Sequence, residues 1–221
     1  YRRDETAYLA PPLPLAVALP TTTAEVAELV RLAAAHRVPI VPRGAGTGLS
    51  GGAAAVEGGL TIAFTRMNRV VEIDPANLVV VTQPGVINAD LKKAVAAEGL
   101  FYAPDPASYE TCTIGGNLGT NAGGLCCLKY GVTRDAVVGL EVVTADGSVI
   151  RLGGRTVKDV AGRTVYLVEG SVSHYLLARA LDQSGVARRA VKIKNVSDQE
   201  IEAVYLNDKD SKAAFVTWNP M

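Results

Sequence analysis

Two glycine-rich segments carry the residue types best suited to binding a phosphate group. The first follows a short apolar run and reads Pro42-Arg43-Gly44-Ala45-Gly46-Thr47-Gly48-Leu49-Ser50-Gly51-Gly52. Glycine lets the backbone fold closely around a ligand, and converging backbone amides make an anion site. Arg43 adds a positive charge, and Thr47 and Ser50 add hydroxyl donors. This composition favours a phosphate or diphosphate ligand over a plain surface connection.

A second segment rich in glycine lies further along the chain. It reads Thr113-Ile114-Gly115-Gly116-Asn117-Leu118-Gly119-Thr120-Asn121-Ala122-Gly123-Gly124. Between the two segments, Gln83-Pro84-Gly85 and Ala103-Pro104-Asp105-Pro106 supply stiff turns, since proline fixes φ without needing a ladder donor. Two glycine clusters of this kind are suited to holding one extended ligand.

The spacing of Gly46, Gly48 and Gly51 satisfies the dinucleotide fingerprint of Rossmann folds, but its context does not. That fingerprint needs a helix opening at the loop and an acidic residue about 20 positions later. Here Gly58-Gly59 interrupts, a strand follows, and Thr65-Arg66-Met67 stands where the carboxylate belongs. The chain also lacks Gly-Lys-Ser or Gly-Lys-Thr, which excludes a P-loop.

Taken together, these motifs resemble the PCMH-type FAD-binding domain of the vanillyl-alcohol oxidase superfamily, in its D-lactate dehydrogenase and glycolate oxidase D-subunit branch. The resemblance covers about residues 15–162 and extends to Lys129-Tyr130-Gly131 and Gly139–Val143. It implies FAD held by two α+β subdomains, with the first loop on the pyrophosphate and the second cluster on the pyrophosphate and flavin ring. The cofactor-binding residues it implies are Arg43, Gly44, Ala45, Gly46, Thr47, Gly48, Ser50, Gly51, Pro84, Gly85, Pro104, Asp105, Thr113, Ile114, Gly115, Gly116, Asn117, Gly119, Asn121, Ala122, Gly123 and Gly124.

The chemistry implied by this resemblance is hydride transfer from a small 2-hydroxy acid to FAD, with electrons passed to a separate acceptor or partner subunit. Some relatives attach the flavin to a histidine in the glycine loop. This loop has none, since His36 and His174 are the only histidines, so we expect non-covalent FAD. We interpret Cys112 as a small buried thiol, with a cysteinyl flavin link as the alternative. The family's remaining flavin-site and cap segments are not found after Gly162, so no catalytic residue and no metal ligand is assigned.

The elements predicted around these motifs are of mixed α and β type. Thr22 to Glu25 reads as a capping box for a helix to about His36, and Asn88 is predicted to cap a second helix ended by Gly99. Asp146-Gly147 predicts a hairpin turn. Strands are predicted at Val38–Pro42, Leu60–Phe64, Val70–Ile73, Leu78–Thr82, Val137–Thr144 and Ser148–Leu152.

The last part of the chain follows a different design. From Arg163 the pattern is βαβαβ, with strands Thr164–Val168, Val191–Asn195 and Ala213–Thr217 and helices over 171–184 and 198–205, which favours parallel pairing. Val168–Leu177 and Val216–Pro220 resemble one lobe of taurine, nitrate and urea-type solute-binding proteins of ABC transporters. The predicted fold is therefore an incomplete α+β FAD-binding domain over 1–162 followed by an α/β segment over 163–221. Because the change falls inside a motif, we hypothesise a chimera near Gly162.

Three functions follow as alternatives: an FAD-dependent 2-hydroxy-acid oxidoreductase, a small-ligand binding module, and a non-functional fusion. The chain has 221 residues with 22 Lys plus Arg against 22 Asp plus Glu, a balance that disfavours nucleic-acid binding. No apolar run is long enough to span a membrane. Three cysteines, two of them adjacent, argue against a disulfide framework and for a reducing compartment. We expect a cytoplasmic protein, with peripheral association with the inner membrane as the alternative.

Overall fold

The computed structural model describes residues 1–154, 164–167, 181, 187–195 and 214–215. Contacts within the chain divide it into two units, Tyr1–Leu152 and Gly153–Met221. The predicted boundary at Gly162 lies outside the described residues and stays a prediction. Over the described residues, no helix combines the length and the apolar character needed to cross a membrane.

The first unit opens with a parallel three-stranded sheet. Its strands are β1 (Ala16–Ala18), β2 (Ile40–Arg43) and β3 (Leu60–Ala63), in the order β1-β3-β2. Helix α1 (Thr23–Ala35) connects β1 to β2 and buries its apolar stripe. Val26 and Val30 of this helix pack with Ile62 of the central strand and with Met67. This core fixes the carboxyl ends of β2 and β3, where the first glycine segment begins.

A second core lies between a strand pair and two helices. Strands β4 (Val70–Asp74) and β5 (Val79–Thr82) pair antiparallel, and helices α2 (Asn88–Ala97) and α3 (Ile114–Thr120) follow. Val86, Leu91, Val95 and Ile114 form the buried cluster. The unit continues with the short helix α4 (Cys127–Tyr130), a 3-10 turn at Thr133–Ala136, and the paired strands β6 (Gly139–Val143) and β7 (Val149–Gly153).

Most predicted elements are present with bounds shifted by a residue or two. The hairpin turn is confirmed: Gly147 has a φ of +78°, and Thr144 N donates to the Ser148 carbonyl at 2.9 Å. The Asp146 side chain accepts hydrogen bonds from the Thr144 hydroxyl and from the backbone and hydroxyl of Ser148. These bonds lower the pKa of Asp146 to about 2.

The prediction that Asn88 caps α2 is wrong. The N-cap is Ile87, and Asn88 is the first helical residue, with its side chain fully buried. The backbone N–H groups of Asn88 and Ala89 are instead satisfied by the carbonyls of Cys112 and Tyr109, both at 3.0 Å. Backbone from a distant turn therefore does what a side-chain cap does elsewhere.

Thr22 caps α1 as the predicted capping box requires, but the reciprocal bond to Glu25 comes from Thr21 rather than Thr22, and the cap gives a stability prediction. Thr22 Oγ1 accepts from Glu25 N at 3.2 Å, and the Glu25 carboxylate accepts from Thr21 N at 2.7 Å. We expect Thr22→Ala to lower the free energy of unfolding by about 1 kcal/mol, because a first-turn N–H loses its partner. Urea unfolding followed by circular dichroism measures this. Glu28→Ala, an exposed change on the same helix, is the control and should move stability by less than about 0.5 kcal/mol; equal effects would contradict the cap assignment.

The described part of the second unit contains a parallel sheet. Its strands are β8 (Thr164–Leu167), β9 (Lys192–Asn195) and β10 (Ala214–Phe215), in the order β10-β8-β9. Both pairings are parallel, as predicted from the alternating pattern. Of the helix predicted over 171–184 only Leu181 is described, and it is helical and buried, whereas the helix predicted over 198–205 lies outside the described residues.

Candidate functional site

The first glycine segment starts where two parallel strands end. Strands β2 and β3 run side by side in the same direction, so their carboxyl ends share one edge of the sheet. Phe64 N, just beyond β3, donates to the Arg43 carbonyl at 3.1 Å and fixes this edge. Ligands of α/β sheets bind outside such carboxyl ends. The topology therefore places the first glycine loop at the position where a ligand is expected.

The two glycine clusters meet in the structure. A Cβ added at Gly44 would collide with Thr113 Oγ1 and lie 3.2 Å from Gly116 Cα. Further along the loops, Ser108 Oγ donates to Thr47 Oγ1 at 3.3 Å. This approach needs glycine at position 44 for steric reasons. The two segments, far apart in sequence, thus lie against each other.

Arg43 is built into the first loop. Its side chain is 8% exposed, and its guanidinium donates to the Ala53 carbonyl at 2.8 Å and to the Ala45 carbonyl at 3.5 Å. Gly46, with a φ of +83°, lies directly against the guanidinium, where any side chain would collide. Among the described residues, no carboxylate lies within ion-pair distance of Arg43. The Arg43 guanidinium therefore holds the loop in place through hydrogen bonds as well as supplying the positive charge predicted from the sequence.

The N-terminal segment supports the loop from its outer side. Glu5 N donates to the Gly48 carbonyl at 3.1 Å, and Ala55 N donates to the Arg2 carbonyl at 3.0 Å. Leu9 packs against Gly51, which has a φ of +77°. Sequence reasoning missed this support, because no residue type in segment 1–9 indicates which strand or loop it covers.

The second cluster is fixed to the proline turns that precede it. Thr113 is the N-cap of α3 and accepts from Gly116 N at 3.2 Å. Gly115 N donates to the Pro84 carbonyl at 2.7 Å, and a Cβ at Gly115 would lie 2.6 Å from Pro84 Cβ. Gly85 N in turn donates to the Met67 carbonyl at 2.7 Å. Pro84, Gly85 and Gly115 therefore pack together.

Asp105 lies against the far end of the second cluster. A Cβ at Gly124 would collide with the Asp105 carbonyl and side chain, so glycine is needed there. Asp105 Oδ1 accepts from Cys126 N at 3.1 Å. The thiol and backbone hydrogen bonds from Cys126 lower the pKa of Asp105, and the same carboxylate raises the pKa of the Cys126 thiol. The pair thus holds an ionised carboxylate beside a protonated thiol.

The end of α3 is held by the 3-10 turn at Thr133–Ala136. Asn121 is the C-cap of α3 with a φ of +47°, and its Oδ1 accepts from Arg134 N at 3.0 Å. The Ala122 carbonyl accepts from Thr133 N and Oγ1 at 3.0 Å and 2.7 Å. Asn121 and Ala122 therefore shape the path of the chain leading into Gly123 and Gly124.

A cleft of about 240 Å³ lies beside the contact between the clusters. Ala45 and Thr113 contribute to it from the two glycine segments, and Gly85 to Ile87 form one wall. Its other lining residues are Thr65, Asn68, Val70 and Asp90. Ligand pockets commonly hold roughly 300–1,000 Å³, so the cleft suits one part of an extended ligand.

Sequence reasoning missed Thr65, Asn68 and Asp90 at this cleft. One signal was available for the first two, because they follow β3, a strand parallel to and adjacent to β2. Loops after neighbouring parallel strands meet at one edge. Asp90 had no such signal, since its place depends on how α2 packs.

The predicted site residues do not all face the cleft. Ile114 packs in the apolar core, and Asn117 is buried, with its amide directed at Cys112 Sγ (3.1 Å) and Asn88. Cys112 is 2% exposed, as expected of a buried thiol. Ser50 and Gly119 are exposed, and a Cβ at Gly48 or Gly119 would meet nothing within 4 Å. Among the described residues, no group of three or more His, Cys, Asp or Glu side chains is arranged to hold a metal.

These residues fit a diphosphate-bearing group. The backbones of both clusters meet at Gly44 and Gly116, where a Cβ on Gly44 would have no room, and the cleft lies beside this contact. Backbone N–H groups and the hydroxyls of Thr47 and Ser50 are neutral donors suited to an anion.

Comparison with known proteins gives a domain match and close relatives. The family described as "FAD binding domain" matches residues 14–153. The glycolate oxidase subunit GlcD of Bacillus subtilis is 55% identical over 150 residues, which cover 68% of this chain and 32% of that protein. The D-2-hydroxyglutarate dehydrogenase of Stutzerimonas stutzeri is 40% identical over 162 residues, covering 73% of this chain and 35% of that protein.

A similar solved structure is that of 6-hydroxy-D-nicotine oxidase from Arthrobacter nicotinovorans. It superimposes with a TM-score of 0.59 at 27% identity and covers 69% of this chain and 32% of that one. The chain spans about a third of the length of the curated relatives it matches.

Proposed function

The chain belongs to the FAD binding domain family, and from this premise we propose that it is the FAD-binding part of an oxidoreductase that oxidises a 2-hydroxy acid. The family match confirms FAD as the predicted cofactor and the mixed α and β fold as the predicted class. Glycolate or D-lactate is the proposed type of substrate, in line with the names of the relatives. The product is then a 2-oxo acid.

The contact between Gly44 and the Thr113–Gly116 turn carries this proposal. It joins the two glycine clusters at one point, with Gly44 packed against Thr113 Oγ1 and Gly116 Cα. Arg43 donates to two carbonyls of the same loop, Ala53 and Ala45, and so helps to fix its path. We propose that the diphosphate lies at this junction and that the adjoining cleft takes a neighbouring part of FAD.

Bound FAD supplies the hydride acceptor, and the chain's own residues position it. Asp105 packs against Gly124, and Cys126 N holds its ionised carboxylate in place. We assign no catalytic base among the described residues, because the one described histidine, His36, is exposed at the end of α1. We propose that the described residues bind and orient the cofactor.

The remaining features of the proposal concern organisation and context. We propose two α+β subdomains within residues 1–162 and a separate α/β segment over 163–221. Limited proteolysis tests this division through the sizes of the fragments that it releases. A separate electron acceptor or partner subunit takes the electrons. We place the protein in the cytoplasm, with peripheral association with the inner membrane as the alternative.

Absorbance of the purified chain tests the proposed function. We expect visible flavin bands that persist through gel filtration after FAD is added, because a diphosphate site retains the whole dinucleotide. A colourless protein would contradict the proposal. Bleaching of the bands by glycolate or D-lactate under anaerobic conditions tests the substrate class, with dithionite as the control that a bound flavin can be reduced.

A further inference from the structure

Asn88 is a fully buried polar residue at the start of α2 that no motif assigned to cofactor binding. We propose that Asn88 is a positioning residue that fixes the Pro104-Asp105 turn relative to the second glycine cluster and thereby sets the affinity for FAD. This inference rests on the proposed function, since it concerns the same site.

The side chain of Asn88 joins two parts of the site. Its Nδ2 donates to the Pro104 carbonyl at 3.2 Å and to Asn117 Oδ1 at 3.0 Å. A carbonyl can only accept, so the amide nitrogen must face Pro104. Asn117 must then present its oxygen to Asn88 and its nitrogen to Cys112 Sγ, at 3.1 Å. The orientation of every group in this network follows from the first contact.

The backbone around Asn88 is already tied to the second cluster. Ile114 N donates to the Val86 carbonyl at 2.8 Å, Gly115 N to Pro84 at 2.7 Å, and Asn88 N to Cys112 at 3.0 Å. These bonds fix residues 84–88 to residues 112–115 without help from side chains. Among the hydrogen bonds of the described residues, the one from the Asn88 amide extends this connection to Pro104, the residue next to Asp105.

Stability alone does not account for an asparagine at this position. Asn88 Oδ1 is buried with no hydrogen-bond partner among the described residues. A buried carbonyl oxygen without a partner is a cost to folding that offsets part of what the two donor contacts of Asn88 contribute. The two donor contacts to Pro104 and Asn117 are what the amide provides and leucine does not.

Titration of the full chain with FAD, followed by quenching of flavin fluorescence, tests the proposal. We expect Asn88→Asp to weaken FAD binding about tenfold or more at about pH 8, because a carboxylate faces two acceptors. At about pH 5.5 we expect most of the affinity to return, since burial raises the pKa of the introduced carboxyl and its protonated form again donates. FAD binding by Asn88→Leu should be weakened to the same extent at both pH values.

Controls separate positioning from loss of stability. Leu91→Ala removes a buried side chain from the same helix and should lower the melting temperature without changing FAD affinity. Two other titratable side chains, Cys112 and Tyr102, lie in the same interior. Burial raises the pKa of Tyr102 to about 12, which is above the assay range. Measuring the unsubstituted chain at both pH values controls for any effect of Cys112 on FAD binding.

Several results would overturn the proposal. The proposal is wrong if both Asn88 variants bind FAD as tightly as the unsubstituted chain does. It is also wrong if Leu91→Ala loses as much FAD affinity as the Asn88 variants lose. If Asn88→Asp fails to fold, the affinity of Asn88→Leu decides. Failure of the unsubstituted chain to bind FAD would reject the proposed function and this inference with it, whereas normal binding by that chain and by the variants rejects only the inference.

Discussion

Replacing Gly44 with valine should abolish FAD binding. The Cβ alone would collide with Thr113 Oγ1 and press on Gly116 Cα at 3.2 Å, and the branched methyl groups add more volume. Backbone at Gly116 cannot rotate away as a flexible side chain would, so one glycine cluster must move. Overpacking costs roughly 1–3 kcal/mol and occasionally more, and each 1.4 kcal/mol is a factor of ten in affinity. We expect a rise in the dissociation constant of more than about 100-fold by flavin fluorescence.

The same loop supplies a matched control for this prediction. Gly52 belongs to the same glycine run, has no positive φ, and a Cβ there would meet nothing within 4 Å. Gly52→Ala should therefore bind FAD within about threefold of the unsubstituted chain. Normal binding by Gly44→Val would refute the placement of the diphosphate at the junction. Equal loss in both variants would mean that the loop responds to any substitution.

Local patterns predicted the elements of this domain well, because their signals lie within a few residues. The capping box at Thr22 and Glu25 and the Asp146-Gly147 turn are both formed by hydrogen bonds between near neighbours. The glycine clusters were identified from composition, and their roles as a pair came from the family resemblance. Composition alone does not predict that Gly44 and Gly116 lie against each other.

Asn88 shows why the remaining features escaped prediction. Asparagine before a helix favours a cap, and nothing local distinguishes that role from a buried one. Its actual partners, Pro104 and Asn117, are 16 and 29 residues away. The positions of Asp90 at the cleft and of Leu9 against Gly51 escaped prediction for the same reason, because each depends on packing between segments distant in sequence.

Arg43 was predicted as a source of positive charge, and the structure gives it a second role that experiment can separate from the first. A guanidinium presents several donors in a rigid fork, which here reaches the Ala53 and Ala45 carbonyls together. A lysine keeps the charge but presents a compact ammonium. If charge alone mattered, Arg43→Lys would retain most of the affinity for FAD.

We expect Arg43→Lys to fail nearly as severely as Arg43→Met. Both lose the fork that reaches the part-buried Ala53 and Ala45 carbonyls together, and hydrogen bonds from charged groups contribute about 1.5–3 kcal/mol each. The predicted result is a loss of about 2 kcal/mol in the free energy of unfolding for each variant, by urea titration, together with at least a tenfold loss of FAD affinity. Arg66→Met, at an exposed arginine just beyond β3, should change neither quantity. Near-normal binding by Arg43→Lys would instead show that Arg43 acts on the cofactor through its charge, because the ammonium reproduces the charge but not the fork that holds the loop.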